Sequence, residues 1–258
     1  MYNDIVTIGR FTIHGYGLMI AVGIIVAYFV ADYRAKRKGL DTDRLFSLAV
    51  IAVVFGLVGA KALYWLTIID EIRENPRIML DFGSGFVVYG GIILAIFIAW
   101  IYCRRKNLRL LEYTDVILPS VALGQGFGRI GCFLAGCCYG IETDGWLAVT
   151  FTNSDYAPNG VPLVPTQLIS SALNFLNFIA LVLISKRSRK SGIVTACYLL
   201  FYSVGRFVIE FFRGDVARGA VGVLSTSQFI SICVAAAALI LLFVLRKQLR
   251  DHEMNYLY

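Results

Sequence analysis

Seven predominantly apolar stretches follow one another along the chain, each close to the roughly 20 residues that a helix needs to cross a bilayer. They cover residues 11–30, 45–69, 86–102, 116–138, 165–185, 193–212 and 224–245. The composition agrees, because 58% of the residues are hydrophobic and the mean hydropathy is +0.72, outside the range of soluble domains. We therefore predict an all-α polytopic membrane protein with seven transmembrane helices, forming a single domain over residues 1–258.

Basic residues are concentrated in every second connection between these stretches. The clusters lie at residues 34–38, 104–109, 186–190 and 246–250, whereas the alternate connections are mainly acidic. Because clusters of Lys and Arg stay on the cytoplasmic side, we expect the N-terminus outside and the C-terminus in the cytoplasm. This pattern accounts for the net charge of +7, so we expect no nucleic acid as a partner.

The fourth stretch is the least regular of the seven. It contains Pro119, Gln125 and Arg129 together with the glycines 124, 126, 128 and 131. Glycine-interrupted spans at membrane depth are tolerated where they line a cavity. We therefore expect a fourth span that is broken by glycines and lines a binding site.

Three basic residues, Lys61, Arg129 and Arg206, lie inside the predicted spans, where an ion costs at least about 2.5 kcal/mol. Lys61 is explained either by reaching towards the outer interface or by a function. Arg129 has glycine neighbours, so an opened backbone would offer N–H groups beside a guanidinium, which suits a phosphate. The alternative is a structural ion pair with a carboxylate such as Glu210.

Arg206 and Glu210 are four residues apart on one predicted helix, with Tyr202 and Arg213 one turn to either side. Residues with this spacing share a helical face. A simple ion pair is the plainer interpretation. Two spans that each present an arginine to a common interior instead predict a site for an anionic headgroup.

Three of the six cysteines, Cys132, Cys137 and Cys138, follow Arg129 closely. They could be zinc ligands or a redox pair, but they lack the CxxC spacing that is usual for zinc, and buried free cysteine is common. We therefore expect no metal site, and the sequence leaves open whether these three cysteines are free, functional or, for Cys137 and Cys138, joined in a disulfide. The other three cysteines are expected to be packing residues. His14 is interpreted as an interfacial packing residue or a base.

Ordered blocks along nearly the whole chain resemble the bacterial prolipoprotein diacylglyceryl transferase family. The most specific block, which resembles the signature GRxGNFxNxExxG, comprises Gly128, Arg129, Ile130, Gly131, Phe133 and Gly140. The supporting positions are Tyr16, Gly17, Gly59, Lys61, Gly90, Gly91, the PTQL run at 165–168, the helix from Tyr202 to Asp215, and Ser225 with Gln228.

The resemblance implies a cytoplasmic-membrane enzyme that moves diacylglycerol from phosphatidylglycerol to the lipobox cysteine of a prolipoprotein, releasing glycerol 1-phosphate without a cofactor. It implies catalytic roles for Tyr89, Arg129, Arg206 and Glu210. The residues expected to bind phosphatidylglycerol are Tyr16, Lys61, Gly90, Gly91, Gly128, Arg129, Gly131, Gly140, Gln167, Tyr202 and Arg206.

Four positions depart from the family pattern. Cys132 and Ala135 stand where the signature has Asn, Cys137 where it has Glu, and Tyr89 where the family has His. These exchanges leave three other interpretations open. They are a related transferase with a different acceptor, a transporter or lipid-binding protein, and a thiol oxidoreductase.

Overall fold

The computed structural model describes residues 4–8, 11–81, 85–188, 190–215 and 219–254. Within these ranges, seven helices are long and apolar enough to span a membrane, which confirms the predicted class. They are α1 (Gly15–Arg37), α2 (Thr42–Thr67), α4 (Val88–Arg105), α5 (Leu110–Ala135), α6 (Thr166–Arg187), α7 (Ile193–Glu210) and α8 (Thr226–Met254). A short helix α3 (Ile69–Glu74) and a 3₁₀ helix (Pro76–Leu80) follow α2.

Three antiparallel hairpins occupy connections and the N-terminal segment. Their strands are β1 (Asp4–Ile8) with β2 (Phe11–His14), β3 (Val149–Thr150) with β4 (Pro162–Leu163), and β5 (Ala220–Val221) with β6 (Leu224–Ser225). The predicted start of the first span at residue 11 is therefore wrong. Residues 11–14 hydrogen-bond to β1 as a strand, and the helix begins at Gly15.

The fourth span is one continuous helix, which corrects the prediction of a glycine-broken span. A backbone that keeps its helical hydrogen bonds leaves no polar group exposed to hydrocarbon. The glycines instead allow close packing: a Cβ on Gly124 would lie 3.3 Å from the Gly23 carbonyl oxygen, and one on Gly131 would lie 3.1 Å from that of Tyr16. The helix ends at Gly136, which has a left-handed backbone with φ of 76°.

The chain divides into two compact units, and the single functional domain stays a prediction. The unit from Asp32 to Tyr113 contains α2 and α4. Their contact depends on glycine, because a Cβ on Gly59 or Gly90 would overlap the carbonyl oxygen of the other residue. Small residues at such crossings let helix backbones approach closely inside membranes.

The other unit comprises the chain up to Ala31 and from Thr114 onward. Its core joins α5, α6 and α7 through Ala122, Leu181, Val194 and Tyr198. Helix α8 packs against α7. This unit contains all the candidate functional residues of α5, α7 and α8.

Candidate active site

A cavity of about 260 Å³ opens between α5, α6 and α7. Its polar lining comes from one arginine on α5, three amide or hydroxyl side chains on α6, and a tyrosine and an arginine on α7. These residues are Arg129, Ser170, Asn174, Asn177, Tyr202 and Arg206. Leucine, phenylalanine, isoleucine, alanine and glycine residues form the rest of the wall, so the polar groups converge on an otherwise apolar space.

Arg129 lies on this wall without a carboxylate partner. Within the described part of the chain, no Asp or Glu oxygen lies within ion-pair distance of its guanidinium. Its electrostatic neighbours include the phenol of Tyr202 and the thiols of Cys132, Cys137 and Cys138. Because α5 is helical here, a phosphate would meet the guanidinium rather than opened backbone N–H groups.

Arg206 is held from two sides. One terminal nitrogen pairs with Glu210 Oε2 at 2.8 Å, and the other donates to Ser227 Oγ of α8 at 2.8 Å. The side chain of Glu210 is 2% exposed. The i,i+4 ion pair is therefore confirmed, and the alternative pairing of Glu210 with Arg129 is wrong. Arg206 keeps its place on the cavity wall, while Glu210 lies behind it.

The segment after α5 folds against the end of α7 through backbone hydrogen bonds. Gly140 N–H donates to the Val164 carbonyl at 3.0 Å, and Gly214 N–H donates to the Tyr139 carbonyl at 3.0 Å. A Cβ at Gly140 would overlap the carbonyl oxygens of Val164 and Phe212, so the family glycine is required by packing. Arg213 then binds both carboxylate oxygens of Asp215 beside this segment.

The start of α6 holds the turn that follows α5. Thr166 Oγ1 donates to the Cys138 carbonyl at 2.8 Å, and Gln167 Nε2 donates to the Cys137 carbonyl at 2.8 Å. Gln167 is almost fully buried. The structure therefore gives this predicted lipid ligand a supporting contact, and the two cysteines acquire fixed positions.

The thiols of Cys132, Cys137 and Cys138 form a cluster in which all sulfur atoms lie within 4.8 Å of one another. All six cysteines of the chain are free, so the possible disulfide is not formed. Left-handed backbone at Gly136 and Cys138 turns the chain back towards the end of α5. Arg213 and Arg129 lie within electrostatic range of Cys138.

Sequence reasoning named these three cysteines together but did not predict that their thiols meet. The signal was three cysteines within seven residues, without the CxxC spacing that is usual for zinc. Tyr16, in the first turn of α1, lies within electrostatic range of the same three thiols and is 43% exposed. Gly128 has open space around its Cα, whereas Gly131 packs against α1. His14 is exposed.

Four predicted residues lie in the unit from Asp32 to Tyr113. Lys61 is buried, donates to the Asp81 carbonyl at 2.5 Å and lies 5.1 Å from the centre of the Tyr64 ring, so it does not reach out to solvent. Tyr89 is partly exposed at the start of α4. Gly90 and Gly91, the other two, lie at the contact between α2 and α4.

Seven apolar helices indicate a polytopic membrane protein, and two of its arginines line one cavity. The family model described as prolipoprotein diacylglyceryl transferase matches residues 3–244. The chain belongs to this family.

Curated relatives support the assignment over most of their length. A phosphatidylglycerol–prolipoprotein diacylglyceryl transferase of Clostridium tetani is 48% identical over 85% of this chain and 88% of its own. A protein of the same name, numbered 2, from Clostridium perfringens is 43% identical over 89% of this chain and 90% of its own. The Finegoldia magna protein of that name is 34% identical over 91% and 92%.

Proposed function

We propose that the protein transfers the diacylglyceryl group of phosphatidylglycerol to the lipobox cysteine thiol of prolipoproteins and releases glycerol 1-phosphate. The names of its relatives give the lipid and the acceptor class. The observation that supports this reaction in the molecule is Arg129, a guanidinium on a membrane-embedded cavity without a carboxylate to neutralise it. A cation inside a membrane span favours binding of an anion, and the phosphodiester of the lipid supplies one.

Arg129 and Arg206 would hold the phosphodiester from α5 and α7. As the bond between the glyceryl carbon and the phosphate oxygen breaks, negative charge grows on the leaving phosphate. Fixed cations in a site shielded from water stabilise that charge. Tyr202, stacked on Tyr198 at 5.9 Å, would donate a hydrogen bond from a fixed orientation.

Glu210 would act on Arg206 rather than on the substrate. Its carboxylate is buried and accepts from the Arg206 guanidinium, so it fixes the cation without reaching the cavity surface. The remaining predicted ligands fall into two groups. Tyr16, Gly128, Gly131, Gly140 and Gln167 belong to the arginine-containing unit, and Lys61, Tyr89, Gly90 and Gly91 are proposed lipid-binding positions of the other unit.

The alternating basic connections support a bacterial cytoplasmic-membrane location with the N-terminus outside. In this orientation α5 runs outward, so its C-terminal end and the cysteine turn lie at the outer face. A secreted precursor presents its acceptor cysteine on that side. The proposed orientation therefore brings the acceptor to the arginines without crossing the bilayer.

The experiment is incubation of the purified protein in phosphatidylglycerol micelles with a lipobox peptide, following glycerol phosphate release and peptide mass. We expect both signals in the native protein and neither in Arg129→Ala. Release of glycerol phosphate with an unmodified peptide would point to another acceptor. Lipid binding without release would indicate a binding protein or transporter and would overturn the proposal.

A further inference from the structure

The spacing of the three cysteine sulfurs is close to that of a metal site. Zinc binds thiolates at about 2.3 Å, so sulfurs that share one ion lie about 3.8 to 4.0 Å apart. The sulfurs of Cys132, Cys137 and Cys138 all lie within 4.8 Å of one another. Side-chain adjustments of less than about 1 Å would bring all three to one ion.

The residues around the cluster hold it in a defined geometry. Arg129 and Arg213 lie within electrostatic range of Cys138. Gln167 and Thr166 fix the backbone of Cys137 and Cys138 through their carbonyls. Contacts of this kind hold ligand side chains in position before a metal binds.

The cavity lacks an evident proton acceptor for a thiol substrate. Among the described residues that line it there is no histidine and no carboxylate, and the nearby Glu210 is engaged by Arg206. A thiol attacks as its thiolate, so some group must promote deprotonation. Coordination to a metal ion achieves this without a base, because a coordinating thiol is deprotonated outright.

We propose that Cys132, Cys137 and Cys138 bind one zinc ion through three thiolates and leave its fourth position for the acceptor thiol. This inference rests on the proposed function, since that reaction supplies the acceptor. Three protein ligands with one open position are the arrangement of catalytic rather than structural zinc. The three cysteines are half-buried, so the cluster keeps a side accessible to substrate.

The step balances without an oxidant or reductant. The acceptor thiol binds zinc and loses its proton to solvent. Its sulfur then forms a bond to the glyceryl carbon as the bond from that carbon to the phosphate oxygen breaks, and the electron pair stays on the phosphate. The thioether leaves zinc because it is a weaker ligand than a thiolate, and Arg129 binds the released phosphomonoester.

The test measures zinc directly on the full-length protein in detergent. Chelator-treated protein is incubated with zinc chloride, desalted, and analysed for metal per chain by mass spectrometry. We expect about one zinc in the native protein and none when Cys132, Cys137 and Cys138 are all changed to Ser. The control variant, Cys197→Ser with Cys233→Ser, removes two cysteines elsewhere and is expected to keep the ion.

Cobalt replaces zinc as a spectroscopic probe, because it accepts the same ligands and absorbs when bound by thiolates. The lipobox peptide is expected to increase the thiolate-to-cobalt absorption of the native protein, whereas a Cys→Ser version of the peptide is not. An unchanged spectrum with the thiol peptide would overturn the open fourth position. Circular dichroism of the triple variant checks that the loss of metal is not a loss of fold.

The two proposals fail in different ways. Zinc removal is expected to lower the transfer rate at least about tenfold, with recovery on adding zinc back. Transfer that continues unchanged in metal-free protein would overturn the zinc inference and leave the proposed function standing. One zinc per chain with neither glycerol phosphate release nor peptide modification would support the metal site but overturn its role in transfer.

Discussion

Helix α5 carries an ionisable residue near each end, and the two residues differ in how the chain surrounds them. Near its start, Asp115 is 3% exposed and accepts hydrogen bonds from Gly192 N–H at 2.7 Å, Thr195 N–H at 2.7 Å and Thr195 Oγ1 at 2.6 Å. Near its end, Arg129 faces a cavity and has no carboxylate partner among the described residues. The charge of Asp115 is hydrogen-bonded by the chain itself, whereas we propose that the charge of Arg129 is met by a ligand.

Helix α5 therefore carries one ionisable residue with a structural role, Asp115, and one for which we propose a functional role, Arg129. Asp115 supplies the cap that α7 lacks, because the residue preceding that helix is Gly192, which has no side chain. Its hydrogen bonds join α5 to α7 and offset the free-energy cost of burying the charge. Arg129 has no carboxylate partner among the described residues, and we propose that a bound anion offsets the cost of placing its charge there.

The largest expected effect follows from changing Arg129. Both Arg129→Ala and Arg129→Lys should lower kcat/KM at least about 100-fold, because lysine cannot replace a bidentate guanidinium contact to phosphate. The melting temperature should change little, since no ion pair is lost. Transfer kinetics and thermal unfolding of the same preparations measure both quantities. Near-native activity of the lysine variant would contradict the proposed phosphate contact.

Asp115→Ala should lower stability and leave the activity per folded molecule largely unchanged, which is the reverse of the effect expected for the Arg129 variants. Removing the carboxylate leaves buried N–H groups without acceptors, and we expect a loss of about 3 kcal/mol in unfolding free energy. Asp115→Asn keeps one acceptor oxygen and should lose less. Denaturant unfolding, together with activity per folded molecule, measures the outcome. A fall in kcat/KM without a loss of stability would erase the distinction between the two ends of α5.

Glu210 is intermediate between Asp115 and Arg129. Its carboxylate is paired within the chain, but its partner Arg206 lines the cavity. Glu210→Gln keeps the side-chain shape and removes the charge that fixes Arg206, so we expect kcat/KM to fall about tenfold, mainly through KM for phosphatidylglycerol. Glu210→Asp should recover part of the loss. Equal falls in kcat and kcat/KM with KM unchanged would instead indicate that Glu210 acts in the transition state.

Features local in sequence were predictable, whereas those joining distant residues were not. The seven spans follow from composition, and the pairing of Arg206 with Glu210 follows from helical periodicity. Asp115 was missed because its partners lie 77 and 80 residues away. The glycines of α5 were misread because glycine permits both a break and a close helix crossing, and only the neighbouring helix decides which occurs.

The geometry of the cysteine cluster depends both on the local backbone and on a contact with a residue distant in sequence. Two left-handed residues turn the backbone after α5, and a non-glycine residue in that conformation, Cys138, is not visible as a pattern. Gln167 stabilises the turn from 30 residues away. The usual CxxC spacing of zinc ligands therefore did not signal that these three sulfurs lie within 4.8 Å of one another.

The smallest expected effect concerns Ser225 and Gln228, a pair that the family resemblance places among its motifs. Gln228 N–H donates to Ser225 Oγ at 3.1 Å, and Ser225 N–H donates to Gln228 Oε1 at 3.1 Å, which is a capping box at the start of α8. The pair is satisfied by its own chain, as Asp115 is, so it should be structural.

Ser225→Ala should therefore cost about 1 kcal/mol of stability and leave kcat/KM unchanged, as should Gln228→Ala. The double variant should cost little more than either single change, because each side chain completes the same motif. Thermal unfolding and transfer kinetics of the three variants provide the comparison. Reduced activity at native stability would mean that a fully hydrogen-bonded motif also serves the reaction, and hydrogen-bond satisfaction would then no longer separate structural from functional residues in this chain.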